Sequence, residues 1–351
     1  MKNHALITGI TGQDGAYLAK FLLDKGYQVY GTFRRLSTPN FWRLQHLGIS
    51  NSVNLIPADL LDAGSMVEAI RLSEPDEIYN LAAQSFVGAS FEEPVATAEI
   101  SGVGVVRILD AIRQLCPHVK LYQASTSEMF GNLGQDKEPI AESVNFKPVS
   151  PYAAAKVYGH YVTRIYREAY GIFACNGILF NHESPLRGLE FVTRKISNGV
   201  AKIALGLSHD LRLGNLNSRR DWGYAPEYVE SMWMMLQQDQ PDDYIIATGE
   251  SHTVSEVVEM AFKEADLDWR EYVKIDNALF RPLDVDSLCG DYSKASKKFG
   301  WRPRTGLPDL VRLMVKEDIS RWRRHLKGET FPWDAPSYPD EMRVLTRSTQ
   351  S

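Results

Sequence analysis

The stretch Ala5-Leu6-Ile7-Thr8-Gly9-Ile10-Thr11-Gly12-Gln13-Asp14-Gly15 decides the fold. An apolar run breaks into three glycines, each separated from the next by two residues, and Tyr17, Leu18, Phe21 and Leu22 then recur at helical spacing as far as Gly26. The pattern reads as strand, glycine loop, helix. Glycine is required for a tight turn, for close approach of backbone to a pyrophosphate, and for close packing of helix on strand. The helix N-terminus offers free N–H groups and a positive dipole end to phosphate. Gly9, Ile10, Thr11, Gly12, Gln13, Asp14 and Gly15 are therefore candidate dinucleotide-binding residues, a reading that the extreme N-terminal position between strand and helix strengthens.

The composition bounds what else the chain can be. With 351 residues, 44% hydrophobic and 24% charged, it is globular rather than disordered. A net charge of -5 with both signs interspersed gives no basic stripe for nucleic acid, although a local cationic pocket for a phosphorylated ligand is expected. Cys116, Cys175 and Cys289 are far apart and in no metal-like spacing, so buried thiols in a reducing compartment and no metal site are expected. No apolar run approaches the ~20 residues of a membrane span, and no signal-peptide pattern opens the chain. A cytoplasmic enzyme is the expectation.

Working outward, residues 27–31 read as a second strand that ends at Arg34-Arg35. An acidic residue at this point accepts a hydrogen bond from the ribose 2'-OH of NAD, whereas a 2'-phosphate needs cations, so the two arginines predict NADP. Residues 38–48 form a short helix or a loop. Residues 53–56 read as a strand closing at Asp59-Leu60, and Asp62 caps a helix carrying Met66, Val67 and Ile70. Residues 77–81 give a fourth strand, whose end at Leu81 opens into Ala82-Ala83-Gln84-Ser85, small residues where an open parallel sheet receives its ligand.

A helix through Val105 and Ile112, a strand over 120–124, a helix over 151–170 and a strand over 173–180 continue the alternation. The fold class is α/β: a Rossmann-like doubly wound parallel sheet with a smaller mixed α/β C-terminal region for substrate. Helices over 192–205, 228–236, 254–265 and 309–322 belong to that second region. The expected units are 1–180 for the dinucleotide and the chemistry, 181–327 mainly for substrate and partly interleaved with the first, and a polar tail over 328–351.

Tyr152 and Lys156 stand four apart on one predicted helix and face the same side. An adjacent ammonium and a cationic nicotinamide would favour the phenolate, which can then take a hydroxyl proton as hydride leaves the same carbon. The strand end Ala124-Ser125-Thr126-Ser127-Glu128 adds a hydroxyl and a carboxylate; if extended geometry persists, Thr126 and Glu128 share a face. The carboxylate is the telling residue, because proton removal alpha to a ketone and expulsion of water need an acid/base group beyond the phenol. Asn181-His182-Glu183-Ser184-Pro185 suggests a fixed loop with side chains turned to a ligand. Arg187, Arg194, Lys195, Arg219, Arg220 and Arg281 are the cations available to a diphosphate.

Taken together, the glycine loop, Arg34-Arg35, residues 80–87, 122–131, 150–156, 177–187, 191–197, 219–223 and 281–286 resemble the GDP-mannose 4,6-dehydratase family, in the extended branch of the short-chain dehydrogenase/reductase superfamily. The resemblance implies a lyase that uses NADP and GDP-mannose. Tyr152 deprotonates the C4 hydroxyl, Glu128 takes the C5 proton, and Glu128 with Thr126 helps water leave C6. It further implies that Asp59 and Leu60 meet the adenine end of the cofactor. Leu81, Ala82, Ala83, Ser85, Lys156, His182 and Arg187 line the remainder of the cofactor, while Ser85, Asn181, Glu183, Lys195, Arg220 and Arg281 meet the GDP-sugar. A homo-oligomer, dimer or tetramer, is implied as well. Two departures stand out: the family's serine-rich segment after the arginines is here Leu36-Ser37-Thr38-Pro39-Asn40-Phe41-Trp42, and Phe86 stands at a frequent histidine. An NADP-linked nucleotide-sugar reductase or epimerase, in which Glu128 is dispensable, and a noncatalytic dinucleotide sensor are the alternatives.

Overall fold

The computed structural model describes residues 3–37, 40–133 and 139–331. Thr38 and Pro39 of the segment that departs from the family's serine-rich run, and the polar tail beyond residue 331, lie outside the described residues. Six parallel strands, β1 (His4–Thr8), β2 (Gln28–Phe33), β3 (Asn54–Pro57), β4 (Glu77–Asn80), β5 (Lys120–Thr126) and β6 (Ala174–Leu179), are joined by a seventh, Asp243–Ile246, on the outer side of β6. The order across the sheet is seventh strand, β6, β5, β4, β1, β2, β3. The winding direction therefore reverses between β1 and β4, and the carboxyl ends of those two strands open the crevice where such sheets bind ligands.

Helices cover both faces. One face packs helices Gln13–Asp24 and Ala225–Leu236 against Ile7, Val29, Tyr122 and Cys175; the other packs Ala63–Ser73 and Gly104–Leu115 against Leu6, Ile78, Leu121 and Ala174. Because Asp243–Ile246 and Ala225–Leu236 join this sheet, the chain beyond residue 181 contributes to the first layer system as well as to its own. That second core is built from helices Val192–Ala204, Val254–Lys263 and Leu307–His325 around Trp222 and Phe262. Cys116, Cys175 and Cys289 are free and buried.

Local sequence explains the element ends. Asp62 Oδ1 accepts from the Gly64 N–H at 3.0 Å and starts Ala63–Ser73. Ser150 Oγ accepts from Ala153 N–H at 3.1 Å, Pro151 takes the first helical position, and Gly171 at φ 68° ends helix Pro151–Tyr170. Between β4 and β5 the connection is richer than one helix: Val87–Glu92 and Pro94–Ala98 precede a π-turn, Glu99–Val103, that runs into Gly104–Leu115. The glycine loop divides its labour. Gly9 sits at φ 69°, a turn conformation that favours glycine, whereas a Cβ on Gly15 would lie 2.5 Å from the Gly9 carbonyl oxygen. At Gly12 the corresponding distance is 3.2 Å.

Gly15→Ala should therefore lower unfolding free energy by about 1–3 kcal/mol, the usual cost of overpacking, and Gly12→Ala by clearly less. Urea denaturation of the two variants checks this; equal losses would contradict the close contact at Gly15.

Candidate active site

At the end of β1 the helix Gln13–Asp24 begins at Gly12 without a side-chain cap, so its first N–H groups point into the crevice. Thr8 Oγ1 fixes the facing edge by accepting from Leu81 N–H and Ala82 N–H, each at 3.0 Å, and donating to Asn80 Oδ1 at 2.7 Å. Asn80 in turn donates to Gln123 Oε1 at 2.7 Å, giving a buried polar ladder across β1, β4 and β5. Arg34 and Arg35 follow the end of β2, exposed and in no ion pair among the described residues. Asp59 Oδ1 accepts from Leu61 N–H at 3.0 Å, holding the turn after β3 at the same edge, with Leu60 buried beneath it. Ala83 is half-buried and Ser85 exposed at the mouth.

Segment 181–185 departs from the sequence expectation: three of its side chains turn inward instead of toward a ligand. His182 Nε2 lies 2.8 Å from Asp14 Oδ2 and Nδ1 lies 2.8 Å from the Phe180 carbonyl oxygen. Both partners are acceptors, so both ring nitrogens carry hydrogen and the ring is an imidazolium. Burial opposes that charge, yet Asp14 raises the His182 pKa; burial likewise works against the Asp14 carboxylate, yet His182, Gln13 and Arg187 hold it down at about 2. Ser184 Oγ donates to Gln13 Oε1 at 2.7 Å, and Gln13 Nε2 donates to Asp14 Oδ1 and to the His182 carbonyl oxygen. Glu183 is buried, accepting from Thr193 Oγ1 at 2.6 Å and pairing with Arg187 at 3.1 Å. Asn181 remains half-buried with no side-chain bond of this kind among the described residues.

The acid/base residues meet at the end of β5. Extended geometry stops at Thr126, and Ser127–Phe130 turns into a 3-10 helix, so the expected strand alternation of Thr126 and Glu128 does not occur. They come together through that turn, with Thr126 Oγ1 accepting from Glu128 N–H at 3.3 Å. Burial pushes the Tyr152 phenol up to about 12, with Glu128 adding to the rise and Thr126 opposing it, so the protein by itself keeps the proton on, contrary to the depressed value expected from Lys156. Burial brings Lys156 down to about 8; its Nζ donates to the Ala124 carbonyl oxygen at 2.9 Å and stands 5.9 Å from the Tyr152 ring centre.

The six candidate cations separate. Arg194 is deeply buried and bonded to Asp318 at 2.7 Å, so it holds helix Val192–Ala204 to helix Leu307–His325 and is not a diphosphate ligand. Arg219 donates to the Ser251 carbonyl oxygen. Arg220 reaches Glu128 at 3.9 Å and shares Asp284 with Arg281, at 3.1 and 3.3 Å, which brings Arg220 beside the acid/base group. Lys195 is half-buried with no ion pair among the described residues, and the Arg187 guanidinium stacks 3.6 Å from the Phe191 ring centre.

The sequence model of the GDP-mannose 4,6 dehydratase family matches residues 6–314. This chain belongs to that family. It is 52% identical over 330 residues to GDP-mannose 4,6 dehydratase 2 of Arabidopsis thaliana, covering 91% of this chain and 88% of the relative. It is 48% identical over 347 residues to GDP-mannose 4,6 dehydratase of Homo sapiens, covering 92% and 93%. Among solved structures it is similar to the UDP-glucose 4-epimerase of Thermus thermophilus in complex with NAD, at 26% identity and a TM-score of 0.79, covering 90% of this chain and 98% of the epimerase.

Within this family frame, sequence reasoning missed Thr8, Asn80 and Gln123, which shape the crevice. Thr8 and Asn80 carried a signal as the polar last residues of β1 and β4, whereas Gln123, in the middle of the mixed β5, carried none. Among the described residues no group of three or more potential ligands could hold a metal ion, and no helix is long and apolar enough to cross a membrane.

The Asp14–His182 pair makes stability depend on pH in a defined direction. Asp14 is depressed, so its contribution is present above its ordinary 3.8 and lost as pH falls toward about 2; His182 is raised, so its contribution is full below its ordinary 6.5 and lost as pH rises through the higher value. Denaturant titrations should show the wild type exceeding His182→Asn most between about pH 4 and 6.5, with the gap narrowing on either side. A gap independent of pH would remove the imidazolium.

Proposed function

We propose that this chain converts GDP-mannose to GDP-4-keto-6-deoxymannose and water, with the hydride that leaves C4 returning to C6. The observation that carries this reading is the convergence of Thr126, Glu128, Tyr152 and Lys156 at the crevice of a chain of the dehydratase family. A bound nicotinamide dinucleotide supplies the acceptor and donor of that hydride. The crevice fits such a group: the Gly9–Gly15 loop turns so tightly onto its helix that Gly15 has no room for a Cβ, and the helix N-terminus that faces the crevice has no side-chain cap. Arg34 and Arg35 favour NADP, because two exposed guanidinium groups and no carboxylate follow β2. In this reading Asp59 and Leu60 meet the adenine, and Leu81, Ala82, Ala83, Ser85, Lys156 and Arg187 lie along the remainder of the cofactor, while His182 acts from behind the glycine loop through Asp14.

Tyr152 takes the C4 hydroxyl proton. Its raised pKa means that this requires positive charge at the phenol, toward which Lys156 contributes from one turn along the helix, with Thr126 opposing the rise. Glu128 takes the C5 proton, made acidic by the new C4 ketone, and returns a proton to the departing C6 hydroxyl with Thr126 beside it. Arg220 stabilises the Glu128 carboxylate and, with Lys195 and Arg281, meets the diphosphate; Ser85 and Asn181 face the sugar. Glu183 contributes by holding Arg187. The reading extends to a homo-oligomer, supported by Tyr158, Tyr161 and Ile165, which lie exposed along the outer side of helix Pro151–Tyr170.

Incubation of the purified chain with GDP-mannose and substoichiometric NADP should give a nucleotide sugar lighter by one water, with the cofactor unconsumed. Glu128→Gln should bind NADP as before and turn over roughly 10²-fold more slowly, the usual worth of a general acid/base; near-normal turnover would favour the reductase or epimerase reading. Replacing both Arg34 and Arg35 by Ala should weaken NADP selectively in fluorescence titrations, whereas equal losses for NADP and NAD would remove the two arginines from the 2'-phosphate.

A further inference from the structure

Outside the groups that the reaction uses, Asn132 joins two parts of the site whose residues lie 152 positions apart in the chain. Its Nδ2 donates to the Asp284 carbonyl oxygen at 2.9 Å, and its Oδ1 accepts from Asp286 N–H at 2.7 Å. A carbonyl at one residue and an N–H two residues further on are the groups that a parallel neighbour would bond, so the side-chain amide takes the place of one residue of a strand. Arg219 continues along the same segment with its main chain, donating to the Asp286 carbonyl oxygen at 2.8 Å and accepting from Leu288 N–H at 3.2 Å. Segment 284–288 is thus held at successive positions by Asn132 and by the short strand Arg219–Arg220.

Asn132 is fixed at its own end by the turn that carries Glu128. It follows Glu128 by four residues, across the 3-10 turn Ser127–Phe130. In that turn Met129 and Phe130 are fully buried, and the Met129 carbonyl oxygen accepts from Lys147 N–H at 2.9 Å. Gly131 sits at φ 61°, and a Cβ there would overlap the Lys147 carbonyl oxygen, so the chain leaves the turn through glycine and in one direction. At the other end the Asp284 carboxylate accepts from Arg220 at 3.1 Å and from Arg281 at 3.3 Å, and Arg220 also donates to the Val285 carbonyl oxygen at 2.7 Å. Arg220 in turn comes back to within 3.9 Å of Glu128. The contacts close a ring that runs from Glu128 through Gly131 and Asn132 to segment 284–286, then to Arg220 and again to Glu128. Its Arg220–Glu128 link is too long for a hydrogen bond, and the Asn132 pair supplies short, directional ones.

We propose that Asn132 is a positioning residue for the substrate: it holds the arginine-bearing segment 281–286 at a fixed distance from the acid/base turn, so that a diphosphate seated on Arg220 and Arg281 brings its sugar to Glu128. This rests on the roles given to Glu128, Arg220 and Arg281 above. The Asn132 amide is engaged by segment 284–286 and acts through it. Asn132 is exposed, so water can replace its partners in the unfolded chain and in a loosened one, and the pair adds little to folding stability. What the pair removes is freedom of the arginine segment relative to Glu128. The consequence is a loss of substrate affinity and of turnover without a loss of fold, which a merely structural asparagine would not produce.

The test uses the full chain with saturating NADP and compares the wild type with Asn132→Ala, Asn132→Leu, Arg281→Ala and Asn132→Ala in the Arg281→Ala background. Asn132→Ala should raise both the KM for GDP-mannose and the calorimetric Kd for GDP about fivefold, within the range of a lost hydrogen-bond pair. Turnover should fall less, about threefold in kcat, as the sugar loses its register over Glu128. NADP titration and the thermal midpoint should stay as in the wild type. Asn132→Leu keeps the volume and loses both bonds, so it should match Asn132→Ala. Arg281→Ala should weaken GDP by itself, and in its background the Asn132 change should cost clearly less than in the wild type, because its effect passes through the arginine segment. Unchanged KM and Kd in Asn132→Ala, recovery by Asn132→Leu, or the full fivefold loss retained in the Arg281→Ala background would each overturn the proposal while leaving the dehydration standing. Wild-type GDP affinity in Arg281→Ala would instead overturn the seating of the diphosphate on that arginine, and this proposal with it.

Discussion

The ion pair between Asp14 and His182 joins residues 168 positions apart and ties the glycine loop to the segment that leaves the sheet after β6. An isolated buried pair of this kind gains little, because desolvation of two charges offsets their attraction. Here the remaining hydrogen-bonding capacity is filled: the Phe180 carbonyl takes the second imidazolium proton and Gln13 donates to the other Asp14 oxygen. The ring also stacks on Tyr228, with centres 4.7 Å apart and planes 19° from parallel. Both side chains keep some exposure, so removing either charge would leave the other partly desolvated without its partner. The pair therefore fixes the relative placement of the cofactor loop and the substrate side, and the remainder of the crevice is built upon that placement.

A second constraint runs through helix Pro151–Tyr170, whose buried face fastens onto β5 at two successive residues, Ala124 and Ser125. A parallel strand has no hairpin partner to set its register, so its carboxyl end is held by side chains from the crossover helix. The same contacts that stabilise the strand end deliver Thr126, Tyr152 and Lys156 to one point, and the 3-10 turn after Thr126 swings Glu128 back to join them. Packing and chemistry here use the same bonds.

Much of this was legible in the sequence. Alternating apolar runs and helical periodicities placed six of the seven strands of the sheet and the longer helices between them to within a few residues, because strand and helix periods are local properties, whereas Asp243–Ile246, which joins the sheet from far along the chain, was not placed. Asp62 marked a helix start for the same local reason. The acid/base set was legible by residue type and spacing. Its geometry was not: alternation put Thr126 and Glu128 on one face for a reason that fails, since the strand ends between them. The inward turn of His182, Glu183 and Ser184 was likewise hidden, because their partners Asp14, Thr193 and Gln13 include residues far off in the chain.

The sequence by itself determined the doubly wound sheet, the glycine cradle and the identity of the groups able to move protons, all of which depend on local conformation and side-chain chemistry. Only the tertiary structure decided the state and employment of those groups. Burial set the Tyr152 and Lys156 pKa values in directions that an exposed helix would not show, and packing consigned Arg194 to Asp318 while leaving Arg220 beside Glu128. Desolvation and partner choice depend on what surrounds a group in three dimensions, and that environment is made by segments the sequence keeps apart.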